Sequence, residues 1–134
     1  MPLALIIALS LHALAAVFWA GTSFALARIG GPGAERLLRP QLGAALVAVL
    51  TGAYIWSQLH RDIFDRPEQV LAIGAVCALV AAGVQATMVA RAVRLSSTAS
   101  ADTGPTWSRI IIAQRAAAGL LAVTLVCMTI ARYV

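Results

Sequence analysis

Between Leu11 and Ala27 the chain reads LHALAAVFWAGTSFALA, and His12 is the one titratable side chain in that run. Hydrocarbon offers an imidazole no hydrogen bond, so a histidine there needs a polar partner, a metal, a haem or a water-filled cavity. Four further residues carry ligand chemistry: His60, Cys77, Cys127 and Met128. Imidazole, thiol and thioether are the donor types that suit Cu(I), and imidazole is also the usual protein ligand of haem iron.

Each of these residues also has an ordinary structural reading. Cysteine and methionine pack well in apolar helices, and His60, next to Arg61 and Asp62, reads as a solvated residue at a helix end. Ala16, Trp19 and Ser23 share a helical face with His12, which predicts that this face looks into a helix bundle. For Trp19 the expectation is core packing.

The elements that position these residues follow from composition. The chain has 134 residues, 61% hydrophobic and 11% charged, and its mean hydropathy is +0.90. A soluble domain of this size cannot hide so much apolar surface, so an integral membrane protein is expected. Apolar runs of about 20 residues match a hydrocarbon core of roughly 30 Å. Four such spans are predicted, at about 3–27, 40–60, 69–91 and 107–133, forming a single four-helix transmembrane domain. The first span has no basic segment before it, carries His12 and Trp19, and is too long for a secretory signal, so it reads as a retained helix.

Orientation follows from the arginines, which supply all ten basic residues, since there is no lysine. The first and third loops with their helix ends hold Arg28, Arg36, Arg39, Arg91, Arg94, Arg109 and Arg115, against Arg61, Arg66 and Arg132 on the other side. The positive-inside rule then puts both termini outside, in a bacterial inner (cytoplasmic) membrane. Short connections favour an antiparallel up-down-up-down all-α bundle. Small residues such as Gly21, Gly43, Gly52, Gly74, Gly83 and Gly119 allow close helix approach.

This topology assigns depths. His12 lies roughly 13 Å into span 1 at 1.5 Å per residue. Cys77 enters to a comparable depth, and Cys127 and Met128 return to within about one turn of it. One layer of His12, Cys77, Cys127 and Met128 in the outer half is therefore expected, with His60 above it at the rim of span 2. Gln85 and Gln114 are candidates for a hydrogen bond joining spans 3 and 4, and Arg115 is expected to snorkel to the cytoplasmic interface.

The residues 11–28, LHALAAVFWAGTSFALAR, resemble the first span of CopD-type membrane domains, with a Leu-His pair, small residues, and Trp19 followed by Gly21. RPQLGAALVAVLTGAYIW is similar to that family's second span, with its Thr-Gly pair at Thr51 and Gly52. The likeness covers nearly the whole chain as topology and about a third of it as motif, weakening through span 3. It implies copper handling at the inner membrane. The first span also resembles the HemJ type of protoporphyrinogen oxidase, which implies a haem b ligand role for His12. The lysine that pattern carries in span 3 is absent here, where the chain reads QVLAIGAVCALV.

Three functions fit these residues. The first is a CopD-like protein binding a redox metal near its outer face through His12, with copper handling as its task. The second is a b-type haem protein for electron transfer or porphyrin oxidation, with His12 as axial ligand and His60 as a second. The third is a cofactor-free accessory membrane subunit in which His12 bonds to a neighbouring helix. The lipid bilayer is the partner that composition requires, with a homo-oligomer or larger membrane complex left open. Nucleic acid is not expected, because no basic patch interleaved with aromatics occurs. Paired carboxylates, a Ser/His/Asp set, a Gly-rich phosphate loop and Cys-x-x-Cys are also missing, which argues against soluble enzyme chemistry.

Overall fold

A computed structural model of the chain describes residues 2–29, 35–59, 65–97 and 104–134. They form four α-helices: α1 (Leu3–Ile29), α2 (Glu35–Leu59), α3 (Arg66–Ser97) and α4 (Gly104–Ile130). All four are long and apolar enough to cross a membrane, so the chain is a multi-pass integral membrane protein with bilayer-facing helices. Large side chains such as Leu14 and Val17 on α1 and Ile112 on α4 are exposed on the outside of the bundle, where lipid replaces water as their solvent.

Helix ends carry local signals. At the start of α3 the Asp65 backbone N–H donates to Glu68 Oε2 at 3.1 Å, one arm of a capping box. The Gln69 N–H donates to the Asp65 carbonyl at 3.0 Å. The helix boundaries differ from the sequence expectation by a few residues, most at three ends. Helix α2 begins five residues before Pro40, which lies inside it. There the proline removes a bond to the Arg36 carbonyl, and both residues are exposed, so solvent can satisfy that oxygen. Helix α3 continues past Arg91 to Ser97, its last turns bearing exposed arginines beyond the apolar span. Helix α4 stops at Ile130, where the Tyr133 N–H donates to the Ile130 carbonyl at 2.7 Å and closes the end in a tighter turn.

The helices form a ring in chain order. Helix α1 lies beside α2 and α4, and α3 beside α4 and α2, which leaves α1 opposite α3 and α2 opposite α4. Contacts run antiparallel: His12 meets Ala48 while Ser23 meets Gln41, and Gly74 meets Thr124 while Gln85 meets Gln114. The apolar core sits at mid-height, where Trp19 packs among Ala45, Ala48, Ala81, Ala117 and Leu121. One large ring from α1 thus fills the space left by alanines on the other three helices. At Gly74 the approach is close enough that a Cβ would lie 3.0 Å from Cys127 Cβ, so α3 and α4 pack there because the residue has no side chain.

Candidate functional site

Trp19 separates two halves of the interior. Toward the arginine-rich end, every helix contributes a buried polar side chain to one network: Ser23 from α1, Gln41 from α2, Gln85 from α3 and Gln114 from α4, each 2% exposed or less. The Trp19 indole N–H donates to Gln85 Oε1 at 2.6 Å. Gln85 Nε2 donates to Ser23 Oγ at 2.9 Å and to Gln114 Oε1 at 3.1 Å. Gln41 Nε2 donates to Ser23 Oγ at 2.7 Å, and Gln114 Nε2 donates back to Gln41 Oε1 at 3.1 Å. Ser23 Oγ in turn donates to the Trp19 carbonyl at 2.8 Å. Glutamine is long enough to reach across both diagonals of the ring, and hydrocarbon makes an unpaired amide costly, so the groups satisfy one another.

Toward the other end the four helices line a partly open cavity of about 410 Å³. Its walls are apolar: Leu9, Ala16 and Trp19 from α1, Ala48, Gly52, Ala53 and Trp56 from α2, Ala75, Ala78 and Leu79 from α3, and Leu121 and Leu125 from α4. His12, half-buried, is the one titratable side chain among these lining residues. Its Nδ1 lies 2.8 Å from the Ala48 carbonyl oxygen and 3.2 Å from Thr51 Oγ1. A carbonyl only accepts, so in the neutral ring the hydrogen resides on Nδ1 and Nε2 keeps its lone pair. The Thr51 hydroxyl is itself committed to the Val47 carbonyl at 2.6 Å, which leaves its oxygen to accept from His12. Among the described residues no polar atom pairs with Nε2.

Gly52 makes room for this ring. A Cβ at position 52 would stand 3.0 Å from His12 Cε1 and 3.4 Å from Nδ1, tighter than carbon atoms normally approach. The Thr51–Gly52 pair is thus a receptor for the imidazole, one residue orienting it and the next leaving space for it.

The structure distributes the expected ligands unevenly. His12 and Met128 line the same cavity. Cys77 and Cys127 are half-buried free thiols that do not belong to its lining, and Cys127 instead packs against Gly74. His60 lies outside the described residues. No group of three or more His, Cys, Asp or Glu converges as on a metal ion among the described residues. Thr124, which also lines the cavity, spends its hydroxyl on the Gly74 carbonyl at 3.0 Å. Arg115 is exposed, and its Nε reaches the Ala27 carbonyl at 3.4 Å. Gln41 belongs to the polar network but was not an expectation of the sequence, where it sits in the first turns of the helix beside Arg39 and Pro40. Its signal was the recurrence of glutamine on three spans at one depth. No family model matches the chain, and neither a curated protein nor a solved structure matches it.

Proposed function

We propose that this chain is a redox-cofactor protein of the bacterial inner membrane that binds haem b in its apolar cavity, with His12 as the iron ligand. One observation carries the reading: the His12 Nδ1 hydrogen bond to the Ala48 carbonyl, which fixes the tautomer and leaves Nε2 as the ligating atom. Histidines that bind metal almost always donate their other N–H in this way. The donor set suits a planar macrocycle better than a bare ion. A single imidazole and one thioether, Met128, stand on otherwise apolar walls, whereas an ion with no macrocycle needs its coordination completed by protein.

When bound, haem supplies one-electron redox chemistry. The chain's own part is to hold His12 in place through Ala48, Thr51 and Gly52, to exclude water with the alanine and leucine walls, and to offer Met128 as a second ligand. Burial of the site among apolar walls is one of the ways a protein tunes a haem's potential.

Copper handling, which the CopD resemblance implies, is the second reading. It is supported by the presence of both His12 and Met128 on one lining, and it needs Cys77 and Cys127 to turn toward that lining to complete a Cu(I) set.

The test is the absorption spectrum of detergent-purified protein, oxidised and reduced, after expression with ample haem precursor and copper. A Soret band that vanishes in His12→Ala is the expected result. A colourless protein that holds stoichiometric copper, lost in Met128→Leu, shifts the reading to copper. A protein with neither is a cofactor-free accessory subunit, with His12 joining α1 to α2, and overturns the proposal.

A further inference from the structure

The cavity's contents have to come from somewhere, and its surroundings differ on each side. At the arginine-rich end the way is closed. Trp19 forms the floor, and beyond it Ser23, Gln41, Gln85 and Gln114 are bonded to one another across both diagonals. A solute passing there would have to part hydrogen bonds held by all four helices. The side between α2 and α3 is different, because these helices approach each other least of the four neighbouring pairs. Both flanks of that seam belong to the cavity wall, through Ala53 on α2 and Ala75 and Leu79 on α3. Leu79 lines the cavity and is 53% exposed, so it faces the interior and the lipid together. Ala53 does the same on α2.

We propose that the cavity is filled sideways from the bilayer through the α2–α3 seam, and that it takes a membrane-dissolved apolar molecule carrying a group that His12 can ligate or hydrogen-bond. The walls offer a hydrated ion nothing in exchange for its water, whereas an apolar body loses none. Among the described residues His12 Nε2 has no hydrogen-bond partner, whereas the Thr124 hydroxyl of the same lining is engaged by the Gly74 carbonyl. Haem b is one molecule of this class. The inference rests on the preceding reading only for the role given to Nε2.

The test needs no bound cofactor. In protein carrying W56F and W107F, Trp19 is the remaining indole, and it lies on the cavity floor at 3% exposure. Reconstitution into phosphatidylcholine with brominated acyl chains is expected to quench it, because chains enter through the seam. Ala53→Phe narrows the seam, and Leu79→Phe serves as a second variant should the first not fold, as judged by circular dichroism. Either is expected to reduce quenching at least about twofold and to slow haem uptake from haem-loaded vesicles about tenfold, an effect on the association step. Ala116→Phe, on an exposed face of α4 outside the lining, should change neither. Equal quenching in the seam variants, Ala116→Phe and the parent overturns the inference. If haem fails to bind while quenching still follows the seam variants, the haem reading falls and lateral filling stands. If haem binds through His12 and neither readout responds to the seam variants, the reverse holds.

Discussion

The two halves of this bundle are made by the same four helices and differ in how the centre is filled. Near the arginine-rich end, buried polar side chains from every helix meet and bond to one another. Near the opposite end the centre is left largely to alanines, a glycine and leucines, which line a partly open space of about 410 Å³. Helix α1 serves both, with Trp19 bonded into the network and His12 set above it on the same face. The contrast teaches that in lipid, where apolar packing alone gives helices little reason to associate, a satisfied polar half can hold a bundle together while the other half stays open for a ligand.

If the closed half holds the bundle, cutting its centre should cost most. Gln114→Leu removes a partner from both Gln41 and Gln85 and leaves the buried Gln41 Oε1 without its donor. A loss of about 2 kcal/mol is expected in a reversible unfolding assay in bicelles, from several interhelical bonds at once. An unchanged midpoint would show that the network does not carry the bundle's stability. Gly74→Ala comes next, because its Cβ would meet Cys127 Cβ at 3.0 Å and the Thr124 carbonyl at 3.4 Å, forcing α3 from α4. That should cost about 1–2 kcal/mol by overpacking, measured in the same assay.

Gly52→Ala acts on the open half. Its methyl would displace the His12 ring, so haem affinity is expected to fall about tenfold, equivalent to about 1.4 kcal/mol, with a smaller change in stability. A spectroscopic titration reads this, and an unchanged affinity would mean the ring does not need its present seat. The smallest effect belongs to Gly83→Ala, where nothing lies within 4 Å of the added carbon. Relief of glycine's helix penalty should leave stability unchanged or raise it by up to about 1 kcal/mol, and a loss would reveal a contact made by this face in the membrane.

Much of the architecture was legible in the sequence because its cause is local. Apolar runs of spanning length predict four helices, and the described residues form four. The shared face of His12, Ala16, Trp19 and Ser23 was readable from helical period, and that face does look inward, with Trp19 and Ser23 buried. Gln85 and Gln114 are bonded as expected. Other features depend on rotation about a helix axis, which depth alone does not set. Helical rise predicts Cys77 and Cys127 near the depth of His12, yet their helices present other residues, such as Ala75, Ala78 and Met128, to the cavity. Gly52 was readable as a small residue and as half of a Thr-Gly pair. Its task became visible only once α2 was packed against α1, because the atom it accommodates belongs to a residue far away in the chain.

The central network is made of amides, a hydroxyl and an indole, none of which carries charge. The field across an energised membrane exerts force on charges, so it finds nothing to push on at the heart of this bundle. Nor does the network hold a group that gains or loses a proton near neutral pH, so a proton gradient across the membrane leaves its bonding pattern unchanged. Whatever responds to voltage or acidity in this protein therefore lies outside this network, which forms an electrically silent partition across the bundle.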